Sequence, residues 1–283
     1  MKFKHTTLFI ICFFLSFSYA FSQSSDNFHE RLSTQKEPTY TAKDVQEEVE
    51  FGREIAARIL GRIELLDNKA LTKYVNLVGK SVAIHANRSD IDFKFAVLDT
   101  KEINAYSAPG GYIFVTRGAL QLMSDESELA AVLAHEIAHV TERHIVKEFN
   151  IQAAEDSPIS SFARFIGGGG DPAKAFFNQA VDKALDILFK DGYKRADEVE
   201  ADKIAVLLTA LAGYKGDGLL RYLQKISEIK GKGKDDVGKT HPVYEERFSF
   251  IQNVMKLEGV SAEKGATNQD RFYNVMVKAK VLK

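Results

Sequence analysis

The sequence predicts an α+β fold that is predominantly helical and contains one small antiparallel sheet. Long stretches on both sides of residue 100 repeat their apolar residues with the 3.6-residue period of an α-helix. Between residues 91 and 98 the period changes to two, which is typical of a half-buried strand. Two short apolar runs follow, and Pro109-Gly110-Gly111 between them predicts a turn that joins two strands.

The composition allows one or two domains with a sizeable core, since the chain has 283 residues of which 45% are hydrophobic. Charged residues make up 27% of the chain and almost cancel, giving a formal net charge of −1. No basic cluster is evident, so we expect a mixed, solvated surface and no nucleic-acid partner.

The first twenty residues resemble a secretory signal peptide. Lys2 and Lys4 precede an apolar run from Leu8 to Leu15. The small residues Ser18 and Ala20 then stand at positions −3 and −1 of a cleavage site after Ala20. The apolar run is short for a membrane span, although an uncleaved anchor is the alternative. We therefore predict export, either to the periplasm of a Gram-negative bacterium or to the extracellular space.

Cys12 is the only cysteine and lies within this leader, so the mature chain would hold no disulfide. Its core alone, or its core together with a metal, would have to stabilise it. The mature sequence contains no segment long and apolar enough to span a membrane, and peripheral association with a membrane stays open.

Residues 21–40 are polar and are predicted to be a flexible lead-in. Thr41 and Asp44 then predict a capping box at the start of a helix. The elements predicted up to residue 116 are helices at 41–66 and 69–86 and strands at 91–98, 103–107 and 112–116. Helices followed by a small sheet therefore make up the first half of the domain.

The second half is predicted to be helical, and its first helix, 125–148, is apolar on all sides between Leu129 and Ala134. A glycine-bearing segment at 150–172 is either a lid or a disordered insertion. Further helices are predicted at 173–189, 193–212 and 218–229. We place the folded domain at 41–255, with a C-terminal tail at 256–283.

The motif that carries chemistry is His135-Glu136-Ile137-Ala138-His139. On a helix the two histidines lie about 40° apart and one turn apart, so both imidazoles can reach one metal ion. Glu136 lies about 100° round from His135, where it flanks the ion and can take a proton from the attacking water. Three titratable groups on so apolar a helix need partners, and a metal supplies them.

A third ligand is needed, and His144 is a poor candidate for it. On a continuous helix His144 would lie about 140° round from His139 and point away. The extended motif HExxHxxGxxH also fails, because Glu142 and Ile145 stand where glycine and histidine are required.

Glu198 is the better candidate for the third ligand. On a helix, Glu198 and Asp202 continue a stripe of small and apolar residues within about 100° of arc, whereas Asp197 and Glu200 do not. Two carboxylates that face a core need a cation. Glu198 as a metal ligand, with Asp202 accepting a hydrogen bond from a ligand histidine, would satisfy both.

These residues resemble the M48 family of zinc metallopeptidases, the group that contains HtpX, Ste24 and Oma1. HEIAH is followed about sixty residues later by Glu-x-x-x-Asp, as in that family. The similarity covers roughly residues 45–250, and its other landmarks are Phe51-Gly52-Arg53-Glu54-Ile55, Asn104-Ala105-Tyr106, Pro109-Gly110-Gly111 and Thr240-His241-Pro242 through Arg247.

The resemblance implies a zincin-like fold with one Zn²⁺ per chain on His135, His139 and Glu198. It also implies that a substrate-binding edge strand lies at Asn104 and Ala105. The chain lacks the transmembrane helices of HtpX and Ste24 and is closer to the soluble periplasmic BepA-like branch. No tetratricopeptide repeat follows residue 250, so the role of that branch in outer-membrane protein quality control is not carried over.

The resemblance also places His241 and Arg247 at the catalytic site. His241 would be a fourth, inhibitory ligand or a group that stabilises the oxyanion, unless it is a structural residue. Arg247 would stabilise charge or serve as a salt-bridge partner.

The sequence thus predicts a zinc endopeptidase with Glu136 as its catalytic base, acting on unfolded or damaged extracytoplasmic proteins. Backbone pairing of the substrate with a strand edge would give affinity with little sequence preference. The rival hypothesis is a chaperone or binding module that keeps the metal for structure. Glu136 favours the peptidase over this rival, because a structural metal site needs no base beside it.

Overall fold

The computed structural model describes residues 40–149, 171–230, 241 and 245–282. The predicted signal peptide, nearly all of the lead-in, and the segment at 150–172 up to residue 170 lie outside the described residues. Thr240 and Pro242, on either side of His241, lie outside them too.

Helix α1, Ala42–Arg62, begins at the predicted capping box. The Thr41 hydroxyl accepts from the amide of Asp44 at 3.3 Å, and the Asp44 carboxylate accepts from the amide of Thr41, so two orphan donors are satisfied. Phe51, Ile55 and Ile59 lie one turn apart on α1 and are fully buried. Helix α2, Lys69–Ala83, follows with Asn68 as its N-cap.

The sheet has three strands, β1 (Lys94–Leu98), β2 (Ala105–Ala108) and β3 (Tyr112–Thr116), in the order β1-β3-β2. β2 and β3 are antiparallel and joined by a tight turn, but β1 pairs with β3 in parallel. The prediction of a purely antiparallel sheet is therefore wrong, and the sheet is mixed. After β1 the chain crosses to the far side of the position that β3 occupies, so β1 and β2 are consecutive in the chain but are not neighbours in the sheet.

The turn between β2 and β3 requires glycine. Gly110 has φ +73°, and a Cβ atom there would lie 2.6 Å from the Cα of Val49 in α1. A side chain at this position would therefore meet both backbone strain and a clash with a rigid helix. The turn packs β2 against α1, which fixes the edge of the sheet.

Helix α3, Arg117–Leu122, leads into α4, Glu126–Thr141, whose residues are buried from its first residue to Val140. This confirms the prediction of a helix through the middle of the domain. The predicted continuation to residue 148 is interrupted, because Arg143 adopts left-handed φ/ψ of 56° and 38°. A separate short helix, α5, then covers His144–Glu148.

The remaining described elements are all helical. They are α6 (Asp171–Asp186), a π-helical turn (Ile187–Asp191), α7 (Arg195–Leu211), α8 (Gly218–Lys230), α9 (Glu245–Leu257) and α10 (Gln269–Lys278). Helices α2, α4, α7 and α8 enclose the larger core with one face of the sheet, and α1 and α6 enclose a second core with the other face. In α10, Phe272 and Met276 are buried in the larger core.

Among the described helices, none combines the length and the hydropathy that crossing a membrane requires.

Candidate metal centre

Helix α4 brings His135 and His139 to one place on its buried face. The two side chains are one helical turn apart, and their Nε2 atoms lie 3.1 Å from each other. Both residues are almost completely buried, with 4% and 2% exposure. Their ring nitrogens therefore face a common point in the interior, as the spacing predicts.

Helix α7 packs against α4 and delivers Glu198 to the same point. Its Oε2 lies 3.5 Å from the Nε2 of His135, and its Oε1 lies 3.5 Å from the Nε2 of His139. Glu198 and Asp202 are buried, whereas the side chain of Glu200 is half exposed. The helical phase argued from the sequence thus matches the positions of all three carboxylates.

His241 joins this group. Its Nδ1 lies 2.8 Å from the Oε1 of Glu198 and 3.3 Å from the Nε2 of His135. One nitrogen or oxygen atom from each of His135, His139, Glu198 and His241 lies within 4.8 Å of the others.

This donor set could hold a metal ion, and its spacing can be compared with that expected around zinc. Bonds of about 2.0–2.1 Å to nitrogen and oxygen require neighbouring ligand atoms to be about 3.3 Å apart. Five separations between these side chains, from 2.8 to 3.5 Å, lie near that value, with Oε1 of Glu198 facing His139 and His241 and its Oε2 facing His135. Three imidazoles and one carboxylate are also donors that zinc prefers.

The ionisation of the ligands follows from their burial and their charged neighbours. Burial alone would lower the pKa of His135, but the carboxylates of Asp202 and Glu198 outweigh it and raise the pKa to about 9. Burial lowers the pKa of His139 well below its ordinary value. Burial would raise the pKa of Glu198, yet His241 and Arg247 hold it well below the ordinary value. The site therefore combines a carboxylate with a neutral His139.

Asp202 and Arg247 lie behind the ligands. The Oδ1 of Asp202 is 3.1 Å from the Nδ1 of His135, the ring nitrogen opposite the ligand cluster. The buried guanidinium of Arg247 donates to Asp202 at 2.7 Å and 2.5 Å, and its Nη1 lies 2.9 Å from Glu198 Oε2. Arg247 is thus a buried cation that contacts both carboxylates.

Glu136 lies beside the cluster without belonging to it. Its Oε2 accepts a hydrogen bond from the Oγ of Ser107 at 2.7 Å, and its Oε1 lies 3.5 Å from His241 Nε2. Glu136 is 1% exposed. Because Ser107 belongs to β2, this hydrogen bond ties Glu136 to an edge strand of the sheet.

Asn104, just before β2, and Ala105, the first residue of β2, line a cavity that also contacts His135, Glu136, His241 and Arg247. The lining also includes Val132 of α4 and four residues of α8, namely Leu219, Tyr222, Leu223 and Ile226. The predicted substrate-binding residues and the predicted catalytic residues therefore share one cavity.

Sequence reasoning missed two residues of this site. The ring of Tyr193 stacks on His139 at 3.8 Å with an interplanar angle of 15°, its hydroxyl lies 3.5 Å from the Ser107 carbonyl, and burial raises its pKa. His144 was expected to point away from His139, and this is wrong: their Nδ1 atoms are 2.8 Å apart. The left-handed backbone of Arg143 ends α4 and turns His144 toward His139. No local sequence pattern predicts this break in the helix.

Comparison with known proteins identifies the family of this chain. The profile described as "Peptidase family M48" matches residues 69–255, about two thirds of the chain. The chain is 27% identical over 218 residues to the beta-barrel assembly-enhancing protease of Escherichia coli K12, covering 74% of this chain and 44% of that protein. It thus spans less than half the length of that relative.

With two other relatives, the aligned region covers more similar shares of the two proteins. Identity is 24% over 192 residues to metalloprotease LoiP of E. coli K12, covering 68% of this chain and 72% of that protein. Identity is 28% over 183 residues to the mitochondrial metalloendopeptidase OMA1 of Schizosaccharomyces pombe, covering 64% and 52%.

Proposed function

The chain belongs to peptidase family M48, and on this premise we propose that it is a zinc-dependent endopeptidase whose metal is held by His135, His139 and Glu198. The observation that carries the proposal is the convergence of these three side chains beside Glu136, a buried carboxylate that is not one of the ligands. A carboxylate in that position has no task in a purely structural metal site.

Zinc at this centre would act as a Lewis acid that polarises the scissile carbonyl and lowers the pKa of a bound water to about 7. The protein's own contribution is the proton path. Glu136 takes the proton of the attacking water and delivers it to the leaving amine. The hydroxyl of Ser107 holds one carboxylate oxygen of Glu136, and the other oxygen faces the ligand cluster.

The substrate is an extended peptide that adds to the edge of β2, near Asn104 and Ala105. β2 is an edge strand of the sheet, and the cavity beside it contacts Glu136. Pairing through backbone hydrogen bonds is indifferent to sequence, and it requires a segment with free N–H and C=O groups. Unfolded or damaged proteins offer such segments, which supports a role in protein quality control.

His241 has two candidate roles at this site. As a fourth protein ligand it would fill the position that a catalytic zinc keeps open for water, and the resting enzyme would be latent. Alternatively, it would move from the cluster when substrate binds and stabilise the oxyanion. Its distances of 2.8 Å to Glu198 and 3.3 Å to His135 support the first role.

Export is part of the proposal because the first twenty residues have the features of a signal peptide. The substrates would then be periplasmic or extracellular proteins. The name of the beta-barrel assembly-enhancing protease describes a longer protein, and this chain spans 44% of it. We propose no part in β-barrel assembly for this chain.

A metal-containing chaperone or binding module is the second candidate function. It is favoured by one observation, since four protein ligands around zinc are typical of structural sites. Degradation of casein by the wild type, with and without a chelator, and by Glu136→Gln separates the two. Chelator-sensitive cleavage that is lost in Glu136→Gln supports the peptidase. The absence of cleavage both by the wild type and by His241→Ala, in which the latent enzyme would be active, supports the binding module.

A further inference from the structure

We propose that His144 is a positioning residue that accepts a hydrogen bond from the Nδ1–H of His139 and so presents the Nε2 of His139 to the metal. The inference rests on the proposed function, because it assumes that His139 is a zinc ligand. It concerns a residue outside the HEIAH motif, in a different helix from His139.

The geometry around His139 carries the first step. The Nε2 of His139 faces His135 and Glu198, so its Nδ1 faces away from the ligand cluster. At that nitrogen stands the Nδ1 of His144, 2.8 Å away, which is a full hydrogen bond between buried rings. Both rings are almost wholly shielded from water, with 2% and 6% exposure. Bulk water is therefore poorly placed to satisfy the Nδ1 of His139.

The second step concerns which nitrogen carries the proton. A metal on the Nε2 of His139 leaves the hydrogen on its Nδ1, so the Nδ1 of His144 must accept. A neutral His144 then carries its own hydrogen on Nε2, which lies 3.2 Å from the Oε2 of Glu200. Glu200 is a suitable acceptor for that hydrogen. The three side chains form a directed chain of hydrogen bonds from the metal site to the surface.

The third step is how the fold brings His144 there. In an uninterrupted α4, His144 would lie on another face of the helix from His139. Arg143 instead adopts left-handed φ/ψ, an uncommon conformation for a residue with a Cβ atom. Its Nε donates to the fully buried carboxylate of Glu48 in α1 at 2.8 Å. The contact with α1 therefore stabilises the turn that returns His144 to His139.

The consequence is a preorganised zinc ligand. Removing a partner that orients a ligand histidine typically lowers the metal affinity 10–100-fold. We expect a change of that size when the acceptor is lost, with the fold preserved. The half-exposed Glu200 contributes less, because water can replace its carboxylate.

The test compares two substitutions that separate hydrogen bonding from packing. His144→Asn keeps an acceptor near the position of Nδ1 but is smaller than the ring. His144→Phe keeps the ring and its burial but cannot accept. Zinc dissociation constants of the full-length metal-free variants are measured by competition with a chromophoric chelator, and the d–d spectrum of Co²⁺ reports ligand geometry. His85→Ala serves as the matched control, because His85 follows α2, away from the ligand cluster.

We expect His144→Phe to bind zinc 10–100-fold more weakly and to show an altered Co²⁺ spectrum, while His144→Asn and His85→Ala stay within about threefold of the wild type. Wild-type affinity in His144→Phe, or an equal loss in His144→Asn and His144→Phe, would overturn the role as acceptor. Thermal unfolding of the metal-free variants identifies any loss that comes from misfolding. A wild type without zinc affinity would instead refute the proposed function.

Discussion

The hydroxyl of Ser107 and the carboxylate of Glu136 are joined by a 2.7 Å hydrogen bond. Ser107 belongs to β2 and Glu136 to α4, so the bond connects the strand that would align a peptide with the group that would accept its water proton. In the proposed function, the same two elements would set the position of the substrate and the transfer of the proton.

The first prediction tests Glu136 as the base. Glu136→Gln removes the proton acceptor but keeps the size of the side chain and its contact with Ser107. We expect peptidase activity to fall by about 10²–10⁴ with one zinc still bound, measured by casein degradation and by metal analysis. Near wild-type degradation by the variant would contradict the assignment.

The second prediction tests the choice of carboxylate on α7. Glu198→Ala should lose zinc on dialysis, because it removes the buried carboxylate that faces His135, His139 and His241 and leaves only neutral ligands. Glu200→Ala is the matched control, since its side chain is half exposed and does not face the cluster. Equal zinc content in the two dialysed variants would show that Glu198 is not a ligand.

The third prediction uses the direction of a change in activity. If His241 is the fourth ligand, His241→Ala should raise basal proteolysis while zinc stays bound through three ligands. If His241 stabilises the oxyanion, the same substitution should lower kcat by about 10²-fold. Unchanged activity together with unchanged zinc content would leave His241 a structural residue and refute both roles.

The fourth prediction concerns the cation behind the ligands. Arg247→Met would leave Glu198 and Asp202 buried without the guanidinium that contacts both. Breaking such a pair costs about 3–5 kcal/mol in the free energy of unfolding. Urea unfolding of the metal-free protein measures this.

Arg195→Met provides the control, because the Arg195–Glu246 pair is exposed and is worth at most about 1 kcal/mol. Equal destabilisation by the two substitutions would rule out a special role for Arg247.

The fifth prediction is a pH dependence of zinc binding. In the metal-free protein His135 has a pKa raised to about 9, so it is protonated below that pH and must lose its proton to bind zinc. The pKa of His139 is lowered, so this residue is already neutral. Between pH 6 and 8, apparent zinc affinity should rise by about a factor of ten per pH unit. Chelator competition measures it, and a flat profile would contradict the assignment.

The ligands on α4 and the phase of α7 were predictable because helical periodicity is local information. Side chains that are four residues apart on a helix share a face. From this spacing we predicted that Glu198 and Asp202 point inward and that Glu200 points outward, and their burial agrees. The same rule failed for His144. The helix breaks at Arg143, whose partner Glu48 lies 95 residues earlier in the chain.

Strand pairing escaped prediction for a similar reason. The alternation of residues 91–98 identifies a strand, but it does not say which neighbour the strand takes. The parallel pairing of β1 with β3 depends on how the chain crosses the sheet. Arg247 was left with two roles, because its contact with Asp202 exists only after α7 and α9 pack together.

Helix α10 has a consequence for how this chain can be shortened. Glu126, fully buried at the start of α4, accepts hydrogen bonds from Tyr74 at 2.6 Å, Tyr214 at 2.8 Å and Asn268 at 3.0 Å, and it pairs with Arg271. A truncation after Leu257 would strip Asn268 and Arg271 from this carboxylate and uncover the core around Phe272. We therefore expect stable expression of the chain to require α10, and we expect loss of this helix to destabilise the start of α4, the helix that holds His135 and His139.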